Sequence, residues 1–277
     1  METDCTFRGT DVQLVELTQD HPGFKDQAYR VRRDEIAGAA ARYVAGGPID
    51  DVQYNEDEQS VWRAVWGKLG PLHKTLACAA YRRAVERFGF DHEHIPGFAE
   101  INARLTPLEG FSLAPVAGLV LPETFLLQLG ERRFLATQYM RHASEPLYTP
   151  EPDVVHEYIG HVPMLADAEF AALNLAFGDA TRRATAQEIE KIIRVYWYTI
   201  EFGIVEEDDA LRVYGAGILS SFGEIKRFSQ ADLRPWDLDV MATTPFDPTQ
   251  YQAQLFVAPS YAQMRRDVHA WLDRIGR

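Results

Sequence analysis

The chain has 277 residues, 46% of them hydrophobic and 25% charged, with a formal net charge of -13 at pH 7. That balance argues against a general nucleic-acid binder, which would carry a basic patch or stripe. No apolar run is long enough to span a bilayer, so no membrane partner is expected. Two cysteines, Cys5 and Cys78, make no disulfide framework. The acidic start Met1-Glu2-Thr3-Asp4-Cys5 lacks the features of a secretory signal, and a reducing cytoplasm is the expected location.

The first dozen residues read as a loose tail, so residues 1–20 are expected to precede one domain over residues 21–277. His21-Pro22-Gly23-Phe24-Lys25 is a turn. Helical periodicity runs from Gln27 to Ala45, where Gly46-Gly47-Pro48 ends it. Asn55-Glu56-Asp57-Glu58 is an acidic helix start, followed by Val61, Trp62, Val65 and Leu69 at helical spacing. Gly70-Pro71 breaks that helix, and a second runs through His73 to Phe88. Residues Phe111 to Val120, punctuated by Pro and Gly, read as a packed loop or short strand. A short helix follows from Glu123 to Leu129, and Phe134 to Met140 has strand-like content. Glu188 to Phe202 is a strong helix. Arg212–Tyr214 and Gln254–Val257 suit short strands, and Tyr261 to Ile275 an amphipathic terminal helix. The fold class is therefore mainly α with a few short β-strands.

The chemistry concentrates in two segments. His156 and His161 lie five residues apart, and Glu201 sits forty residues on, inside the apolar run Tyr196-Trp197-Tyr198-Thr199-Ile200-Glu201-Phe202. Two neutral imidazoles and a carboxylate leave positions open on a divalent metal, which suits non-heme Fe(II) oxygenases. The zinc-protease helix places its histidines four apart, on one face. A five-residue step puts them about 140° apart on an unbroken α-helix. Both reach one metal if the helix ends between them: Gly160 is placed to end it, and Pro163 to keep it from resuming. The plain alternative is a pair of hydrogen-bonded core histidines. Glu201 favours the metal, because a buried charge is normally paired or metal-bound.

With those motifs in hand, the chain resembles the catalytic domain of the tetrahydropterin-dependent aromatic amino acid hydroxylases. The likeness runs in order through His21-Pro22-Gly23-Phe24-Lys25-Asp26, Pro115-Val116-Ala117-Gly118-Leu119, Thr137-Gln138-Tyr139-Met140-Arg141-His142 and Tyr148-Thr149-Pro150-Glu151-Pro152-Asp153. It continues through the histidine pair, the Glu201 segment and Tyr214-Gly215-Ala216-Gly217-Ile218-Leu219-Ser220-Ser221-Phe222-Gly223-Glu224. The resemblance implies Fe(II), a tetrahydropterin (tetrahydrobiopterin or a related one), dioxygen as co-substrate and an aromatic amino acid as substrate. It assigns His156, His161 and Glu201 to the iron. Phe125 would stack on the pterin, Gly118, Leu119 and Val120 would bind its edge, and Glu157 would reach it through water. Arg141, oriented by Asp153, would pair with the substrate carboxylate. Thr149 and Ser220 would touch the amino acid backbone. Pro152, Trp197 and Phe202 would wall the substrate ring, and Tyr54 would be a mobile loop tyrosine closing over the site. Lacking the regulatory domain and tetramerisation helix of animal members, the chain is expected to be a minimal catalytic domain and a monomer.

The substrate expected from the resemblance is L-phenylalanine, converted to L-tyrosine. Trp197 stands where phenylalanine and tyrosine hydroxylases carry Trp. Ungapped alignment puts Pro248 where tyrosine hydroxylases carry an acid, with Asp247 one residue off. Tyrosine 3-hydroxylase and tryptophan hydroxylase are the alternatives within the family. A zinc hydrolase and a non-catalytic pterin or amino acid binding protein are the alternatives outside it.

Overall fold

Asn55 begins the longest helix with a reciprocal cap: its side chain accepts from Glu58 N, and the Glu58 carboxylate accepts from Asn55 N. Such caps contribute about 1 kcal/mol each and fix where a helix starts. The computed structural model describes residues 17, 19 and 21–277. The expected tail at 1–20 lies outside the described residues apart from positions 17 and 19, and Cys5 lies outside them too.

Four helices open the fold: α1 (Gln27–Ala41), α2 (Glu56–Leu76), α3 (Ala79–Phe88) and α4 (Phe98–Glu109). Strand β1 (Ser112–Pro115), helix α5 (Pro122–Leu129) and strand β2 (Arg133–Ala136) follow. A π-helical turn, His156–His161, runs directly into α6 (Val162–Leu165). Helices α7 (Ala168–Arg183) and α8 (Ala186–Tyr196) come next, and a second π-helical turn, Trp197–Glu201, extends α8. The remainder is β3 (Ile204–Glu207), β4 (Ala210–Val213), α9 (Ala216–Leu219), α10 (Phe222–Arg227), β5 (Asp232–Pro235), α11 (Leu238–Met241), β6 (Gln254–Ala258) and α12 (Tyr261–Leu272).

Several sequence expectations need correction. The first helix stops at Ala41, short of Ala45. The proline at 71 does not break α2, which runs on to Leu76, and the next helix starts at Ala79 instead of His73. Glycine at 70 removes the Cβ that the proline ring would crowd. Leu69 and His73, buried on either side of Pro71, hold the helix together across it. Helices α4 and α7 are not among the elements expected from the sequence, although Asp167 caps α7 by accepting from Glu169 N and Phe170 N.

β1 and β2 pair in parallel, Ser112 opposite Arg133. The second sheet has the order β4-β3-β6-β5. Its hairpin β3–β4 turns on Asp208 and Asp209, at φ 54° and 56°. Two central residues at positive φ match the tight turns that suit hairpin twist. One large buried cluster runs from Val61 in α2 to Ile275, through Trp62, Phe98, Tyr158, Phe177 and Phe256. Burying a Phe-sized side chain stabilises the fold by about 1.5–3 kcal/mol. Both π-turns contribute to the cluster, through Tyr158 and Ile159 and through Tyr198 and Ile200, while His156 and Glu201 stay partly exposed at its edge.

Candidate metal centre and its surroundings

The five-residue histidine spacing is accommodated by the backbone in an unexpected way. The helix does not end at Gly160. It widens: Val162 N–H donates to Glu157 O, a bond spanning five residues, and the chain continues as α6 with Pro163 in its first turn. A π-turn brings residues five apart closer to one face than an α-helix does, and such turns recur at functional sites. Gly160 serves a different purpose from a helix stop. A Cβ there would meet the Ala216 Cβ and carbonyl oxygen at 2.9 Å, so glycine lets α9 lie against the turn. The second π-turn closes the same way, Phe202 N–H donating to Trp197 O at 2.9 Å, and it ends on Glu201.

The two turns face each other across the cluster edge. His156 Nε2 and His161 Nε2 are 3.0 Å apart. Glu201 lies 3.3 Å from His161 Nε2 and 3.6 Å from His156 Nε2. The candidate ligand atoms of all three fall within 4.8 Å of one another. The Ser220 hydroxyl donates to Ala216 O at 2.7 Å, so its oxygen accepts from His156 Nδ1, 3.0 Å away. That fixes the His156 proton on Nδ1 and turns the Nε2 lone pair towards His161 and Glu201. Burial, against the pull of Glu201, pushes the His156 pKa down to about 4. Burial opposes charge on His161 and Glu201 too, but their pairing overcomes it, holding His161 above and Glu201 below the ordinary value. A neutral imidazole, a second imidazole and a carboxylate converging this closely fit a divalent transition-metal ion.

The other residues singled out from sequence gather around this point. Arg141 and Asp153 are both buried and form a two-pronged pair, Nε to Oδ2 and Nη2 to Oδ1, each 2.8 Å. Asp153 also accepts from Arg141 N and from His156 N, which links the guanidinium to the first histidine. Such a pair presents one edge of the guanidinium to its carboxylate and keeps the other in a fixed direction. Glu157 is buried, its Oε1 accepting from Thr137 N and Oγ1, and burial pushes its pKa up to about 7. Phe125 is half-buried and edge-on to Phe134, which lies 4.6 Å from the His161 ring. Gly118 is buried, Val120 half-buried and Leu119 exposed in the loop after β1. Thr149 donates to Glu151 O, and half-buried Pro152 accepts from Thr137. Trp197 lies 4.6 Å from Phe202 and stacks on Phe246 at 4.2 Å and 12°.

Tyr54 lies in the loop that leads into α2, half-buried against the core, with its hydroxyl donating to Gln138 O at 2.9 Å. Ser220 is buried, with its hydroxyl engaged on His156. The sequence reading passed over Glu151, which pairs with Arg33 and His21 from the α1 side and anchors the 149–153 segment. It also passed over Gln252, whose side chain accepts from the Trp197 indole. Neither carries a local signal: an isolated Glu or Gln in a loop is ordinarily solvated.

The chain as a whole is similar to known proteins. The pattern for biopterin-dependent aromatic amino acid hydroxylases matches residues 4–277. Tyrosine 3-monooxygenase of Mus musculus is 41% identical over 268 residues, 95% of this chain and 54% of that protein. Phenylalanine-4-hydroxylase of Rattus norvegicus is 40% identical over 269 residues, 95% of this chain and 59% of that one. This chain thus spans between half and three fifths of those relatives. The phenylalanine hydroxylase of Chromobacterium violaceum, solved with iron(III) and 7,8-dihydrobiopterin, superimposes with a TM-score of 0.73 at 30% identity, covering 79% of this chain and 82% of that one. The Legionella pneumophila phenylalanine hydroxylase does so with 0.73 at 30%, covering 83% and 93%. With the fold, the converging side chains and these likenesses in agreement, the chain belongs to the biopterin-dependent aromatic amino acid hydroxylase family.

Proposed function

We propose that this protein is an iron- and tetrahydropterin-dependent monooxygenase that hydroxylates the ring of L-phenylalanine to give L-tyrosine, with residues 21–277 acting as one catalytic unit. The observation that carries the reading is the convergence of His156, His161 and Glu201 beside the Arg141–Asp153 pair. His156, His161 and Glu201 would hold the iron. Iron and reduced pterin, when bound, supply the activation of dioxygen. The chain's own part is placement. Arg141, held by Asp153, receives the substrate carboxylate. Trp197, Phe202 and Pro152 receive the ring. Phe125 and the Gly118–Val120 loop receive the pterin, with Glu157 behind them.

Phenylalanine is favoured over tyrosine by the loop that follows Phe246. The Asp247 carboxylate accepts from Thr249 N at 2.9 Å and from Thr249 Oγ1 at 2.6 Å, and is exposed. With Oδ1 serving that turn and the group turned to solvent, it is a poor partner for a buried phenol, and Pro248 beside it is apolar. Tyrosine 3-hydroxylation is the second reading, favoured by the likeness to the mouse enzyme. No helix among the described residues is long and apolar enough to cross a membrane.

The test is a competition assay. Purified protein with Fe(II), tetrahydropterin and oxygen receives phenylalanine, tyrosine and tryptophan together, and products are identified by mass and chromatography. Para-tyrosine as main product is the expected outcome. Dihydroxyphenylalanine or a hydroxytryptophan in its place would reject the substrate. A His156→Ala variant is expected to lose both iron and product; one that keeps wild-type iron content would reject the metal site.

A further inference from the structure

Trp197 is the one residue of the aromatic wall with a polar atom in its ring, and that atom is held. Its indole N–H donates to Gln252 Oε1 at 2.9 Å. The Gln252 amide nitrogen in turn donates to Asp247 O and to Gln250 O, each at 3.0 Å. A primary amide has two N–H donors and one carbonyl. With both donors engaged on backbone carbonyls, the amide cannot turn over, and its oxygen is obliged to face the indole. The Gln252 backbone N–H is tied as well, donating to the buried Glu224 carboxylate at 2.9 Å. Phe246 opens the same loop and lies flat on the Trp197 ring. Residues 246–252 therefore grip this indole by its face through Phe246 and by its edge through Gln252.

An aromatic ring held only by contact can rotate about its two side-chain torsions and slide on its neighbours. A ring held also by a directed hydrogen bond has one plane. We propose that Gln252 is a positioning and specificity-determining residue: by fixing the plane of Trp197 it sets the surface on which the substrate ring packs, and with it the preference among aromatic amino acids. This inference rests on the function proposed above. It assigns no role in the chemical step to Gln252, which acts through Trp197.

The experiment uses the iron-loaded enzyme. Binding of phenylalanine, tyrosine and tryptophan is measured by calorimetry without oxygen, beside steady-state kinetics and thermal unfolding. In Gln252→Met, which keeps the length and loses the amide, Kd and KM for phenylalanine should rise about tenfold while kcat stays within about threefold, the pattern of lost binding geometry. The preference for phenylalanine over tryptophan should narrow about fivefold. Gln252→Asn, one methylene shorter, keeps an amide in the loop but withdraws it from the indole; it should behave alike and guards against misfolding of the first variant. In a Trp197→Phe background, which has no indole N–H, adding Gln252→Met should change Kd less than twofold. Kd and selectivity within twofold of wild type in both Gln252 variants would overturn the proposal, as would independent, multiplying effects in the double variant. A wild type that binds an aromatic amino acid yet yields no hydroxylated product would instead reject the proposed function, and the binding data would still decide on Gln252. A wild type that binds none of the three would reject both.

Discussion

The metal end and the aromatic wall of the site are held by different means. His156, His161 and Glu201 project from backbone that is itself hydrogen-bonded turn by turn, within two helical segments buried in the main cluster. Trp197 begins the same π-turn that Glu201 ends, but its ring direction is set from elsewhere, by a loop 49 to 55 residues further along the chain. The metal end is rigid because its backbone has nowhere else to go. The wall is rigid only as long as one amide and one stacked ring keep their places. On the function proposed above, a site built this way would keep its oxygen chemistry fixed while the substrate it accepts is adjusted through the loop.

Disturbing the metal end should therefore cost stability or metal, and the largest expected cost is at Asp153. Asp153→Ala leaves the buried Arg141 guanidinium without its partner, and breaking a buried pair this way costs about 3–5 kcal/mol. Urea unfolding of the variant checks it. A loss below about 1 kcal/mol would mean that Arg141 finds another partner and that the pair is not the anchor described here.

The next effect is a pH dependence behind the metal end. His73 donates from Nε2 to Leu219 O, the residue beside Ser220, and packs edge-on against Trp66 and Tyr81. Burial pushes its pKa down to about 4, against the raising effect of the Leu219 bond. In the unfolded chain His73 takes up a proton below about pH 6.5, while the folded protein refuses it until about pH 4. Stability from this group is thus full above pH 6.5 and is lost as pH falls through the window from 6.5 to about 4, by about 3 kcal/mol in all. His73→Gln, which can still donate to Leu219 O and does not titrate, should lose about 2–3 kcal/mol less than wild type between pH 7 and pH 4.5. Equal losses in the two proteins would exclude His73 as the source.

The smallest effect sharpens the contrast most. Ser220→Ala frees the His156 ring without touching the wall. Losing such an outer partner weakens metal binding about 10–100-fold. Cobalt(II) titration should show that loss with phenylalanine selectivity unchanged, the reverse of the pattern expected for Gln252→Met. If Ser220→Ala shifted selectivity as well, the two ends would not be separable.

Much of the metal end was legible in the sequence because its information is local. Two histidines, a nearby glycine and proline, and a carboxylate among apolar neighbours are visible without any fold, and Asn55, Glu58 and the apolar spacing after them announce α2. The mechanism of the spacing was not legible. Gly160 and Pro163 are ordinary helix-ending residues, and only the bond from Val162 N–H to Glu157 O reveals that the helix widens and continues, with Gly160 serving the packing of Ala216. Pro71 misled for the same reason, since burial of Leu69 and His73 outweighed a local penalty. Nor does a tyrosine in a polar segment give any sign of the Gln138 carbonyl that the Tyr54 hydroxyl meets.

The sequence by itself determined the candidate ligand set, the mainly helical class and the family likeness, since these depend on residue type and spacing along the chain. The tertiary structure alone decided which nitrogen of His156 faces the other two candidate ligands and that Gln252 holds Trp197. Both are hydrogen bonds whose partners are brought together by chain packing, and no periodicity in the sequence records which carbonyl or hydroxyl will be within about 3 Å of which side chain.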